Sequence, residues 1–183
     1  MQRLLFFFII ASILACETQT KPSVGQIANK FQQNRHDAAL DQAIEPLLNH
    51  YFAILGYLEE KDSTDLNLYG VGLIQLSDSL SKTNLTLDTA TQYNAEQGLI
   101  NIQYEITAIL MSTNQEERMR GAQMLSLHMI EFLATIGYQK QTIYIFSDAL
   151  DNQWIGLNKK SKNPYLKSDK EIYEASVVLQ ELN

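Results

Sequence analysis

The only cysteine of the chain, Cys16, is the residue whose chemistry is best defined by its neighbours. It ends the segment MQRLLFFFIIASILAC, in which a positive residue precedes a short apolar run. Ile13-Leu14-Ala15-Cys16 has the pattern of a bacterial lipobox, although Leu14 occupies a position where a small residue is more usual. A positively charged amino terminus, an apolar run and small residues before the cleavage site are typical of a secretory signal peptide. We therefore predict that residues 1–15 are removed and that Cys16 receives a lipid.

Two alternatives for this segment remain open: an ordinary cleaved signal peptide and an uncleaved membrane anchor. A transmembrane helix needs about 20 apolar residues, and this run is shorter before the sequence turns polar at Glu17. A lipidated Cys16 would attach stably, because several acyl chains bury far more methylene groups than one chain can. The expected organisation is a signal peptide over 1–15, a lipidated tether over 16–37 and one domain over 38–183.

Metal chemistry has one weaker candidate group, formed by Met124, His128 and Met129 on neighbouring turns of a predicted helix. Met124 and His128 are four residues apart, so their side chains can meet on one helix face. Thioether and imidazole groups are ligands for Cu(I), but methionine is also a common filler of helical cores. We expect no metal site here and no cofactor, and we keep these three residues as the only metal candidates.

Composition argues against several classes of function. With 14 Lys and Arg against 21 Asp and Glu, the formal net charge is -7. A chain this acidic, with no cluster of basic residues, will not bind nucleic acid electrostatically. The carboxylate pairs Glu59-Glu60 and Glu116-Glu117 border predicted helix ends and lack the sequence context of a catalytic site. No metalloprotease, Walker or serine hydrolase motif occurs, so we expect a protein that is not an enzyme.

Four amphipathic segments lie between residues 38 and 138, and their apolar residues recur every three or four positions, which is typical of helices. In chain order, the four faces are Ile44, Leu47, Leu48, Tyr51, Phe52, Leu55 and Leu58; Leu66, Tyr69, Leu73, Leu76 and Leu80; Leu99, Ile102, Ile106, Ile109 and Leu110; and Met119, Ala122, Leu125, Met129, Phe132, Leu133 and Ile136. Short connections favour antiparallel neighbours. The sequence thus predicts an all-α, up-down four-helix bundle.

Polar residues mark where these helices begin and end. The predicted start signals are Asp62 or Ser63 for the second helix, Thr86 or Asp88 for the third, and a capping box of Thr113 with Glu116 for the fourth. Gly137 is placed to end the fourth helix. Beyond it, residues 141–146 suit an extended segment, and 148–163 suit a loop apart from the apolar stretch 154–157. Residues 169–182 favour a last helix capped by Ser168 or Asp169.

The C-terminal tail resembles an uncharacterised bacterial periplasmic domain that occurs in lipoproteins and fused to membrane-fusion subunits of heavy-metal efflux pumps. The resemblance rests on the segments LLNHYFAI, YIFSDALDNQWIGL and NPY and covers residues 45–172. The family pattern is a tyrosine before Cys-Pro-Met-Ala, then Trp-Leu-Ser, Asn-Pro-Tyr-Phe-Gly, a methionine and Cys-Gly. The matching residues are Tyr144, Ala149, Trp154, Asn163, Pro164 and Tyr165.

The chain departs from that pattern where the family carries sulfur ligands. This chain has Phe146-Ser147-Asp148-Ala149 where the family has Cys-Pro-Met-Ala, and polar residues replace the later methionine and cysteine. Sulfur ligands suit Cu(I), so a family role in metal handling would have lost those ligands here. The retained Trp154 and Tyr165 are then expected to pack the tail onto the bundle, since aromatic residues dominate core energetics.

These observations leave three functions open. The first is a non-catalytic binding domain, lipid-anchored in the bacterial cell envelope, that contacts an envelope protein and is an accessory to transport, as the resemblance implies. The second is a periplasmic protein that handles copper or another heavy metal with Met and His ligands. The third is a carrier with a small-molecule cavity between its helices. The first is favoured, because the family's sulfur ligands are absent.

Changing Cys16 to serine tests the anchor. We expect Cys16→Ser to abolish incorporation of radiolabelled palmitate and to release the protein from the membrane fraction, because the thiol is the attachment point. Mass spectrometry of the wild-type amino terminus supplies the control. An unmodified, cleaved wild-type chain would indicate ordinary secretion, and an uncleaved one that stays in the membrane would indicate a membrane anchor.

Overall fold

The computed structural model describes residues 38–58, 64–166 and 172–178, and the signal peptide, Cys16, the tether over 16–37, and the proposed caps Asp62, Ser63, Ser168 and Asp169 lie outside them. Four helices come first: α1 spans Ala38–Tyr57, α2 Thr64–Ser81, α3 Thr89–Met111 and α4 Gln115–Ile136. Each packs against the next along the chain. The helical bundle expected from the sequence is confirmed.

The direction of the helices follows from contacts at both ends of α1. Near its start, the Asp41 carboxylate accepts a hydrogen bond from the Gln139 N–H at 3.2 Å, just beyond the end of α4. At its other end, the Gln115 side chain donates to the Leu58 carbonyl at 2.6 Å. The first and last helices therefore run antiparallel, as an up-down bundle requires.

Apolar burial explains why the four segments fold as helices. Every residue of the four predicted apolar faces is buried or partly buried against the core. Pro46 lies inside α1. The carbonyl oxygen of Pro46 lies 2.8 Å from the Nδ1 atom of His50, four residues later. The apolar spacing therefore identified the core of the bundle correctly.

Two of the helix boundaries agree with the sequence and one does not. Asp88 is the N-cap of α3 and accepts hydrogen bonds from the N–H groups of the next turn. The hydrogen bond from the Thr91 hydroxyl, and then those from the N–H groups, lower the pKa of its carboxyl group. Gly137 ends α4 in the left-handed conformation, with φ of 67°. The predicted capping box of Thr113 is wrong: Asn114 is the N-cap of α4, as its side chain accepts from the Glu116 N–H at 2.9 Å.

The C-terminal tail forms strands, so the expectation of an all-α fold is wrong there. β1 spans Tyr144–Ser147, β2 Gln153–Gly156, β3 Lys160–Lys162, β4 Ile172–Glu174 and β5 Val177–Val178. One antiparallel sheet has the order β2-β1-β5, and the other pairs β3 with β4. The extended segment predicted over 141–146 corresponds to β1. The apolar stretch 154–157, excepted from the predicted loop, overlaps β2, whereas β3 lies in the part predicted as loop.

The last helix predicted over 169–182 is also wrong, because β4 and β5 lie within that range. From Ile172 to Val178, exposed and half-buried residues alternate, which is the period of a strand. Val177 pairs with Ile145, and Glu174 pairs with Lys160 and contacts its ammonium group at 3.4 Å. These partners lie far along the chain, and a local pattern does not reveal them.

Two helical glycines give a matched test of this packing. A Cβ atom at Gly121 would come within 2.7 Å of the Ile109 side chain, whereas one at Gly56 would meet nothing within 4 Å. We expect Gly121→Ala to lower the free energy of unfolding by about 1–3 kcal/mol through overpacking between α3 and α4. Gly56→Ala should raise it by roughly 0.5–1 kcal/mol, because alanine favours helix. Urea denaturation measures both, and equal effects would contradict the close approach of the helices.

Candidate functional site

Three buried hydroxyl groups join the bundle to the tail. The Tyr51 hydroxyl of α1 lies 2.8 Å from the Ser126 hydroxyl of α4, and the Tyr165 hydroxyl lies 2.5 Å from the same serine oxygen. All three side chains are buried. We call Tyr51, Ser126 and Tyr165 the hydroxyl cluster. Buried polar groups need partners, and here each residue supplies one to another.

The hydroxyl cluster also reaches the backbone of β2. The Ile155 N–H donates to the Tyr51 hydroxyl at 3.4 Å, and the Tyr165 hydroxyl donates to the Gln153 carbonyl at 3.0 Å. An amide N–H only donates and a carbonyl only accepts, so Ile155 donates to Tyr51. The single Tyr165 proton has three acceptors within reach, the Ser126 oxygen, the Gln153 carbonyl and the Ala122 carbonyl. The outer edge of β2 is therefore capped by side chains of the same chain.

Burial changes the acidity of the two tyrosines. It raises the pKa of Tyr51 well above the ordinary value of 10.0, and the hydrogen bonds with Ser126 and Ile155 offset only part of that rise. The pKa of Tyr165 is also raised, first by burial and then by the neighbouring Tyr51. Both phenols therefore stay protonated near neutral pH. They act as hydrogen-bonding groups and not as bases.

Trp154 is the centre of the aromatic packing in the tail. Its ring stacks on Phe146 with centroids 5.5 Å apart, and it meets Tyr165 and Tyr173 edge-on at 6.1 and 5.2 Å. The indole N–H points to the Ser161 hydroxyl at 3.4 Å. Trp154 is almost fully buried, and all four of these partners belong to the tail.

Asp148 holds the polar part of the tail together. One carboxylate oxygen accepts from the Leu150 and Asn152 N–H groups, each at 2.9 Å, and the other accepts from the Asn152 and Asn163 amides at 2.9 and 3.0 Å. Burial alone would raise the pKa of Asp148, but these hydrogen bonds outweigh it and lower the pKa.

A cleft opens between α1 and this tail. Its volume is about 420 Å³. Phe52 and Leu55 of α1 form one wall, and Leu157 and Leu166 bring apolar side chains from the tail. The rest of the lining is Gly56, Trp154, Ile155, Gly156, Ser161, Lys162, Asn163 and Pro164. A concave, mainly apolar site with a few polar groups is the usual form of a binding site.

The structure brings most of the tail residues singled out in the sequence to this cleft. Trp154, Asn163 and Pro164 line it, and Asn163 accepts a hydrogen bond from the Tyr165 N–H at 2.8 Å. Tyr165 lies behind the cleft in the hydroxyl cluster. Tyr144 is half-buried in β1, paired with Gly156 and Val178, and it does not line the cleft.

Sequence reasoning missed Phe52 and Leu55 as site residues, and also Ser126 and Asp148. Phe52 and Leu55 were visible only as part of an apolar helix face. Ser126 had one weak signal, a hydroxyl group between the apolar residues of α4. Asp148 and Asn152 have the spacing of a turn stabilised by a side chain, and this signal was available.

The three metal candidates do not form one accessible cluster. Met129 is fully buried in the core, whereas Met124 is exposed at a separate small pocket with Arg120 and Asp151. His128 instead contacts two carboxylates, Glu131 at 3.4 Å and Glu105 at 3.9 Å. Among the residues that the structure describes, no three His, Cys, Asp or Glu side chains are grouped so that they could hold a metal ion.

No family model, curated protein or solved structure matches this chain. In residues 38–58, 64–166 and 172–178, no helix has both the length and the apolar character needed to cross a membrane. Evidence on function therefore comes from the residues and the geometry described above.

The raised pKa values make stability fall at alkaline pH. Above about pH 10 the unfolded chain loses tyrosine protons that the folded chain keeps, so the free energy of unfolding falls by up to about 1.4 kcal/mol per pH unit for each such tyrosine. We expect the double change Tyr51→Phe and Tyr165→Phe to flatten this slope, measured by urea denaturation at several pH values. Tyr93→Phe, at an exposed position, is the control, and an unchanged slope in the double variant would contradict the assignment.

Proposed function

We propose that this protein is a non-catalytic binding domain, lipid-anchored in the bacterial cell envelope, that takes an apolar side chain of an envelope protein into the cleft between α1 and the tail. The cleft is the observation that carries this proposal. It joins Trp154, Asn163 and Pro164 to an apolar wall of α1. The anchor is supported by the signal and lipobox pattern that ends at Cys16.

The contacts of β2 favour recognition through side chains. A partner strand would need the outward N–H and C=O groups of β2, but the Ile155 N–H already donates to Tyr51 and the Gln153 carbonyl already accepts from Tyr165. The open part of the cleft instead presents the side chains of Phe52, Leu55, Leu157 and Leu166. An apolar residue inserted between them would be removed from water, which is the main source of affinity at protein interfaces.

A small apolar molecule is the second candidate for the same cleft. A volume of about 420 Å³ falls within the usual range for small-molecule sites, roughly 300–1,000 Å³. This carrier function was expected to use a cavity between helices, whereas the cleft lies between one helix and the tail. Copper handling receives less support, because Met129 is buried away from Met124.

Photocrosslinking from within living bacteria tests the binding site. We expect a photoreactive phenylalanine analogue at Leu157 or Leu166 in the full chain to give the same protein adduct, because both positions line the cleft. Leu150 is exposed elsewhere and is the matched control, which should give no such adduct. The charge change Phe52→Asp should remove the adduct.

Different outcomes separate the two candidates. Equal adducts from the control position and the cleft positions would overturn the cleft as the binding site. A small organic molecule that co-purifies with the chain, detected by native mass spectrometry and lost in Leu157→Asp, would replace the protein partner with the carrier function.

A further inference from the structure

The outer face of α3 is apolar, aromatic and free of charge. Tyr93, Ile100, Tyr104 and Met111 are 61%, 49%, 71% and 79% exposed. The other exposed residues of this helix are Thr89, Ala90, Asn94, Gln97, Asn101, Thr107 and Ala108. Its two charged residues, Glu96 and Glu105, are half-buried at its flanks. Exposed tyrosine and methionine side chains are enriched at protein interfaces.

The spacing of this face is that of a coiled-coil seam. Positions 93, 97, 100, 104, 107 and 111 are all exposed, and they are separated by alternating steps of about four and three residues. On a straight helix such a stripe drifts by about 20° per heptad, so a slight left-handed supercoil lets two stripes pack along their whole length. We call these six residues the α3 seam.

We propose that the α3 seam pairs antiparallel with the α3 seam of a second copy of this chain, about a twofold axis at Ile102. In this register Tyr93 packs against the partner subunit's Met111, Ile100 against the partner subunit's Tyr104, and Gln97 against the partner subunit's Thr107. Every large apolar residue of the α3 seam thus meets another one. A stripe that is complementary to itself is what a twofold interface requires.

The residues beside the α3 seam fit the same axis. Asn101 meets the partner subunit's Asn101, and Gln103 meets the partner subunit's Gln103, so that carboxamides, which both donate and accept, face each other. Glu96 faces the partner subunit's Leu110, and no carboxylate faces another. Because the chain carries a net charge of -7, an uncharged face is the one on which two copies approach with least repulsion.

The area available also suits a pair of copies. Complete burial of a tyrosine removes roughly 150–250 Å² of surface from water. Tyr93 and Tyr104 are 61% and 71% exposed, so burying them in two copies would remove roughly 400–660 Å². A specific interface needs about 1,000 Å² in total, and the four other α3 seam residues supply the remainder. A bilayer is the less suitable occupant, since helices that lie on membranes carry Lys or Arg and α3 has neither.

Cysteine crosslinking of the full chain tests the register. In a Cys16→Ser background, Asn101→Cys brings two copies of the new thiol together at the axis. Asn94→Cys lies at the equivalent exposed position seven residues away, where its two copies are about 24 Å apart along the helices. We expect a short bismaleimide to join Asn101→Cys into a covalent dimer at least about tenfold faster than Asn94→Cys.

Two further variants complete the test. Asn94→Cys mixed with Ala108→Cys should crosslink, because these positions face each other, although neither crosslinks alone. Adding Ile100→Lys and Tyr104→Lys to Asn101→Cys should reduce the yield at least about tenfold, with the fold checked by circular dichroism. Equal rates for Asn101→Cys and Asn94→Cys, or no crosslinking of Asn101→Cys at about 100 µM protein, would overturn the proposal.

Discussion

The hydrogen-bonded hydroxyl cluster is the interaction on which the rest of the structure depends. Ser126 is a small polar residue at a core position of α4, and its hydroxyl contacts Tyr51 of α1 and Tyr165 of the tail. Removing any member would leave the others buried without a full set of partners, which costs more than the bond itself contributes. The cluster thereby fixes where the tail lies on the bundle, and with it the far wall of the cleft.

The cleft and the α3 seam occupy different parts of the bundle. The cleft uses α1 and the tail, whereas the α3 seam lies on a helix face turned away from the core. Two copies joined through α3 would each keep an open cleft. The proposed binding function and the proposed pairing are therefore compatible, and each can be disrupted without touching the residues of the other.

The bundle could be predicted from the sequence because residues close together in the chain determine where each helix forms and which face is buried. Apolar residues such as Leu99, Ile102 and Ile106 repeat at helical spacing, and Asp88 is a strong N-cap residue. The error at Thr113 was one residue, because Asn114 beside it is the better cap.

The tail could not be predicted in the same way, because its order depends on distant partners. Val177 becomes a strand residue only because Ile145 is there to pair with it. The cleft was predicted in part: the tail residues that line it were singled out, but Phe52 and Leu55 were seen only as core residues. Whether Phe52 and Leu55 line a cleft depends on which segment packs across α1, and the spacing of apolar residues in α1 does not predict that segment.

The reach of the hydroxyl cluster along the chain has a consequence for the order of folding. Its contacts between the tail and the bundle join residues 39 and 104 positions apart, whereas each helix forms from neighbouring residues. Contacts across long loops form late, because the entropy of closing the loop is lost first. We infer that the helices assemble before the tail docks and that, in reverse, the tail opens before the bundle unfolds. Hydrogen exchange would then be faster in β2 than in α4, and occupation of the cleft would slow it.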